Sequence, residues 1–240
     1  PQSLLQVAKL AKSANVPLLF GMVSEEQGRY YNSVRLLFPD GLRQIDHHKI
    51  HLVPFGEYLP LADRLPLREI LPAFSRQVPS ADFSPGHRWT IFPVPGTGAS
   101  RFPKYFSVLI CFEDTTADLA RRFVQAGANF LVNISNDGWF LDTNEPFLHL
   151  QAAVFRSVEN RRALVRASNV GVSCFVDQYG RIYYSLRNAR GRQTYLSGTA
   201  TGRVGLSNRK TFYTKFGDAF VRGGCVLLLA FGVIRRKSHC

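Results

Sequence analysis

Apolar positions along this chain change period several times, and each change predicts an element. Leu4, Leu5, Val7, Ala8, Leu10 and Ala11 recur at helical spacing, whereas residues 16–23 form a nearly continuous apolar run of strand length. Glu25 and Glu26 precede Gly28, where a hairpin turn is expected. Val34, Leu36 and Phe38 then alternate with Arg35 and Leu37. A turn at Pro39, Asp40 and Gly41 follows, with a return strand over residues 42–45 that leads into His47, His48 and Lys49. Residues 90–94, 106–111 and 129–135 read as further strands, and residues 115–126 as a helix with threonine at its start. Residues 145–162 read as a helix, 164–168 as a strand, and 172–183 as a hairpin turning at Gln178, Tyr179 and Gly180. Strands alternating with helices predict an α/β layered domain.

Two stretches break this rhythm. From Leu52 to Trp89 the chain is rich in proline and in apolar residues, among them Leu52, Phe55, Tyr58, Leu59, Leu61, Leu65, Leu67, Ile70 and Leu71. It is too long and too apolar for a surface turn, and reads as a lid or binding loop or as a segment packed on its own domain. Residues 223–234 are uncharged and apolar and end at Arg235, Arg236 and Lys237. As a helix this run is about 18 Å long, against a hydrocarbon core of about 30 Å, so it spans only if extended back past Arg222 and Asp218. The basic flank fits a cytoplasmic side, and a transmembrane segment is expected over residues 216–240, with a buried helix as the alternative. The N-terminus shows neither the basic region nor the apolar stretch of a signal peptide.

Charge narrows the partners. Lysine and arginine outnumber aspartate and glutamate by 30 to 17 in 240 residues, a formal net charge of +13 that favours an anionic partner. The basic residues are scattered, with short clusters at Arg121–Arg122 and Arg161–Arg162 and no RNA-binding or zinc-finger spacing, which argues against nucleic acid. Cys111, Cys174, Cys225 and Cys240 show no paired metal-ligand spacing, and His47, His48 and His51 have no acidic or thiol companion at ligand spacing. No metal and no cofactor is expected.

Three segments carry candidate chemistry. Cys111 ends an apolar strand and is followed at once by Phe112, Glu113, Asp114 and a helical pattern. A thiol at such a junction is either core filling or a nucleophile lifted to the sheet edge. Lys49 and Glu57 flank Leu52, Val53, Pro54 and Phe55, as an exposed pair or as an ammonium buried among apolar groups, which requires a partner. Asn133, Asn136, Asp137, Gly138, Trp139 and Phe140 close the strand over residues 129–135.

In this order, with the context of Leu52 to Tyr58, Ile110 to Glu113 and Ser135 to Phe140, the three segments resemble the catalytic domain of the apolipoprotein N-acyltransferases, within the nitrilase (carbon–nitrogen hydrolase) superfamily. His149 to Arg156, Arg161 to Asn169 and Thr211 to Asp218 extend the match over nearly the whole chain. The resemblance implies a four-layer α-β-β-α sandwich over residues 1–215, lacking its first strand and helix, with the membrane segment at 216–240. It implies that Cys111 takes an acyl group from a phospholipid as a thioester, that Lys49 stabilises the oxyanion, and that Glu57 and Glu113 support the site. Phe55, Tyr58, Phe112 and Trp139 would contact substrate; Phe112 stands where the family often has tyrosine, so no hydroxyl acts there. The acceptor would be the α-amino group of a diacylglyceryl cysteine on an apolipoprotein, at the periplasmic face of a bacterial inner membrane.

The family's general-base glutamate lies in a Pro-Glu-Thr-like context upstream of the lysine segment, and no such motif occurs here. The expectation is a fragment of a longer protein, inactive alone. A soluble nitrilase-like amidase, releasing its acyl group to water, and a non-catalytic basic binding module are the competing readings.

Overall fold

The first hairpin is set by one residue pair. Gln27 and Gly28 both take positive φ, which reverses the chain between β1 (Leu18–Glu26) and β2 (Arg29–Leu37) in a two-residue turn. A computed structural model describes residues 2–61, 83–94 and 104–237. In it helix α1 (Gln2–Ala14) precedes β1, and β3 (Gln44–His48) joins β2 to complete an antiparallel three-stranded sheet of order β1-β2-β3. The hairpin at Gly28 is as expected, but β2 starts several residues before the alternation at Val34. Its polar first half, Arg29 to Asn32, is held by register with β1 rather than by burial.

A six-stranded sheet carries the rest, in the order β4 (Phe92–Pro93), β5 (Tyr105–Ile110), β6 (Phe130–Ser135), β7 (Leu164–Ser168), β8 (Cys174–Val176) and β9 (Ile182–Ser185). Strands β5, β6 and β7 are parallel, so their carboxyl ends open on one side. Both faces of these strands are covered, which is why they read as apolar runs rather than as alternation. On one face Val108, Ile110 and Val132 pack with Val34 and Leu36 of the smaller sheet. On the other, Leu109, Leu131 and Leu164 pack with Leu119 and Phe123 of α2 (Ala117–Gln125) and Leu150 and Ala153 of α3 (Glu145–Asn160). Phe92, Phe106 and Phe130 lie on paired register positions and stack with centroids 5.2 Å apart.

Helix α3 ends at Asn160, two residues before the expected end, because Arg161 turns into the left-handed region at φ 51°. Arg162 then runs back into the protein. Only 2% exposed, it meets no carboxylate among the described residues: its Nε donates to the Ala128 carbonyl at 2.7 Å, and Nη1 faces the carbonyls of Asn160, Arg161 and Arg209. Burial pushes its pKa down to about 10. This cluster fastens the irregular stretch after β9 to the sheet, and helix α4 (Phe212–Phe216) follows, capped by Thr211 and tied to α3 through Thr214 and Asn160.

The expectation of a transmembrane segment at 216–240 finds no support in the helix that the described residues of this stretch form. Helix α5 (Ala219–Lys237) includes the apolar run but also Arg222 and the terminal basic cluster, and among the described residues no helix is long and apolar enough to cross a membrane. Leu65, Leu67, Ile70 and Leu71 of the expected lid lie outside the described residues, as does Cys240. Replacing Arg162 by methionine leaves several buried carbonyls unsatisfied and is expected to lower stability by about 3 kcal/mol, measured by denaturant unfolding.

Candidate active site

The site lies at the carboxyl ends of β5 and β6. Strand β5 stops at Ile110 because Cys111 adopts φ 52°, a left-handed conformation costly for a residue with a Cβ, and a 3₁₀ turn (Cys111–Thr115) follows. This elbow brings the thiol to the rim of a cavity of about 450 Å³, beside Ser135, Asn136, Trp139, Asn169, Glu57 and Phe83. Burial raises the Cys111 pKa; the Lys49 charge, the Ser135 hydroxyl and the Phe112 N–H act against that, and Asp137 adds to it. Burial thus works against the thiolate at rest, and the lysine, hydroxyl and amide around the sulfur work for it.

Lys49 follows β3 and is 1% exposed, with Nζ 2.8 Å from Glu57 Oε2. Glu57 is held in turn by the Asn32 amide at 2.7 Å and the Val53 N–H at 2.8 Å. The pair is thus the buried alternative of the two readings, not the exposed one. Glu113 bridges the two segments: Oε1 accepts from the N–H groups of Ile50 and His51 at 2.7 and 3.0 Å, and Oε2 from that of Ile110 at 2.8 Å. Burial pushes its pKa up to about 7, while these amides and Lys49 pull the other way. At the next turn Gly86 donates to the Lys49 carbonyl at 2.7 Å, and a Cβ there would lie 2.3 Å from the His48 carbonyl oxygen.

Behind the elbow lies a network that sequence reading quoted only as part of motifs. Arg166 of β7 reaches Asp114 at 2.7 Å and Asp137 at 3.0 Å through Nη1 and Nη2, and donates to Asn133 Oδ1 at 2.7 Å. His149 of α3 lies 2.7 Å from Asp114 and 3.1 Å from Asp137. Burial opposes a charge on the ring, but the two aspartates outweigh it and lift the His149 pKa to about 9. Burial likewise opposes ionisation of Asp137, yet His149, Arg166 and the Ser135 hydroxyl hold its carboxyl far below the usual range. Asp114 and Asp137 thus face Arg166 and His149 in one fully buried cluster, in which Arg166 Nη2 also lies 2.9 Å from His149 Nδ1. Gly171 is required beside them, since a Cβ would lie 1.8 Å from Asp137 Oδ2.

The aromatic candidates divide. Trp139 lines the cavity and is largely exposed. Phe112 does not line it: its ring stacks on His149 at 4.8 Å, on the helix side of the elbow. Phe55, half exposed, and Tyr58 belong to the turn after Lys49 and are likewise absent from the lining. His47 and His48 face opposite ways from β3, His47 toward Thr90 and Phe123 and His48 toward Ser33 and Glu26. Among the described residues no cluster of histidine, cysteine or acidic side chains could hold a metal ion.

The His149 charge has a consequence for folding. With a folded pKa of about 9 against about 6.5 unfolded, its contribution is complete below pH 6.5 and is lost as the pH rises through 9. Denaturant unfolding is expected to show up to about 3 kcal/mol less stability at pH 9.5 than at pH 6, and His149→Gln is expected to flatten that change.

A profile described as carbon–nitrogen hydrolase matches residues 2–198. The chain is 40% identical over 219 residues to an apolipoprotein N-acyltransferase of Geobacter metallireducens, covering 89% of this chain and 38% of that protein. It is 36% identical over 200 residues to another from Allorhizobium ampelinum, covering 80% and 35%. The chain thus spans less than half the length of these relatives. Its fold is similar to that of a carbon–nitrogen hydrolase from Helicobacter pylori, with a TM-score of 0.56 at 17% identity over 77% of this chain and 62% of the other. Together with the elbow cysteine and the buried lysine beside it, the match over residues 2–198 establishes that the chain belongs to the carbon–nitrogen hydrolase family.

Proposed function

We propose that this chain is the catalytic part of an N-acyltransferase that moves a fatty acyl group from a phospholipid to the α-amino group of a diacylglyceryl cysteine on an apolipoprotein. One observation carries the reading: the Cys111 elbow shares its site with the buried Lys49–Glu57 pair, in a chain 40% identical to a protein named for this activity. In the first half-reaction a carboxylate base takes the thiol proton and Sγ adds to the ester carbonyl carbon. The oxyanion forms against Lys49 and the Phe112 N–H. Collapse breaks the carbon–oxygen bond, and the departing lysophospholipid oxygen takes the proton back. In the second half-reaction the amine attacks the thioester, loses a proton, and the carbon–sulfur bond breaks to restore the thiol.

Glu57 is the acid among the described residues that line the cavity, and both its oxygens are engaged by Lys49, Asn32 and Val53. It serves as the holder of Lys49, and Glu113 as the spacer between the lysine and cysteine segments. We assign neither of them as the base that takes the thiol proton, and no glutamate of the sequence stands in a Pro-Glu-Thr-like context. We assign residues 1–215 to the catalytic domain. Residues 216–240 lie at a membrane, the bacterial inner membrane with the catalytic domain on its periplasmic face. Support for contact with lipid comes from the exposed Phe212, Phe216, Phe220 and Val221 and residues 226–229.

In the intact protein, mass spectrometry after incubation with phospholipid is expected to find an acyl adduct on Cys111, absent in Cys111→Ala. An adduct on another residue, or free fatty acid as the main product, overturns the assignment. Lys49→Met is expected to slow adduct formation about 100-fold or more. The isolated 240-residue chain is expected to show no turnover of phospholipid; measured turnover that Cys111→Ala abolishes overturns that expectation.

A further inference from the structure

The carbonyl of Cys111 is held from two sides. Asn133 Nδ2 donates to it at 3.1 Å and His149 Nε2 at 3.2 Å. Asp114 Oδ1 also lies 2.7 Å from Nε2, so the ring N–H stands between the carboxylate and the carbonyl and is held in place by both. The same peptide unit carries the Phe112 N–H, which faces the Cys111 sulfur. A peptide is planar, with its C=O and N–H pointing in opposite directions. Fixing the oxygen therefore fixes the direction of the hydrogen.

We infer that His149 is a positioning residue, which together with Asn133 clamps the Cys111–Phe112 peptide so that its N–H stays aimed at the sulfur and at the oxyanion that forms next to it. The inference deepens the proposed acyl transfer and rests on it for the oxyanion. A clamp is needed because the peptide can turn about its two flanking bonds, ψ of Cys111 and φ of Phe112, and such a turn would carry the N–H away from the sulfur. His149 is itself immobilised by the Asp114–Arg166–Asp137 network and by the Phe112 ring stacked on it. A donor bonded to the carbonyl also polarises the amide, which strengthens the N–H at its other end. The charged groups around this peptide and its clamp are Lys49, Glu57, Glu113, Asp114, Asp137, Glu145 and Arg166, and among the described residues no hydrogen bond from Lys49 or Arg166 to the carbonyl is seen.

Two readouts in the intact protein test this. The first is acyl-adduct formation from phosphatidylethanolamine in detergent micelles. His149→Leu is expected to lower kcat about 100-fold with KM within about twofold, the size of effect seen when one oxyanion donor is lost. The second needs no acyl transfer: alkylation of Cys111 by iodoacetamide across pH is expected to slow about tenfold at pH 7, its midpoint moving upward because the thiolate loses an N–H. His149→Gln, which can place an amide donor where Nε2 stands, should restore both to within about threefold, whereas the shorter His149→Asn should behave like the leucine variant. If the leucine variant does not fold, the comparison of glutamine with asparagine decides. A folded His149→Leu with the wild-type alkylation profile, or equal behaviour of the two amides, overturns the inference. If wild-type Cys111 is alkylated but never acylated, acyl transfer fails as a function while the alkylation comparison still judges the clamp.

Discussion

Everything at the site depends on a guanidinium buried in the middle of a parallel strand. Arg166 sits where a strand covered on both faces should carry an apolar residue, and it is tolerated there because Asp114 and Asp137 bind it from two directions. A buried ionic group of this kind adds little net stability over an apolar one of the same volume, but removing any partner leaves an unpaired charge. Its value is geometric. The network ties the turn after β5, the turn after β6, strand β7 and helix α3 to one another, and these are the elements that hold Cys111, Ser135 and His149 in place.

The two sheets contribute different halves of the chemistry. The six-stranded sheet supplies the thiol and the peptide behind it; the three-stranded sheet supplies the ammonium, through Lys49 at the end of β3. Between them the apolar contact of Val34 and Leu36 with Val108 and Ile110 brings the sheets into register. The ammonium reaches the site without a solvent path of its own, and that burial makes its charge effective on the thiol.

Much of the fold is legible in the sequence, and the reason differs by element. Helices α2 and α3 are legible as helices and strands β5 to β7 as apolar runs of strand length, and the β1–β2 hairpin announces itself through Gly28. The start of β2 does not, because Arg29 to Asn32 are paired without being buried, and the stretch after β9 does not, because carbonyls gathered on Arg162 leave no periodic trace. At the site, Cys111, Lys49 and Glu57 are readable as a thiol and a charge pair at strand ends. Asn133, His149 and Arg166 are not: a polar residue in a strand or helix reads as solvent-facing until the partners that bury it are known, and those come from three other elements. The ring of Phe112 misleads for a related reason, since the left-handed turn at Cys111 sends the next side chain toward the helix layer instead of the cavity.

Glu113 links residues that are some sixty positions apart in the chain. One of its oxygens accepts from the backbone that follows Lys49, the other from the backbone that precedes Cys111. Thermal displacement of either segment is passed through a single carboxyl group to the other, so the ammonium and the sulfur fluctuate together rather than independently. The spacing between them is set by the length of one side chain.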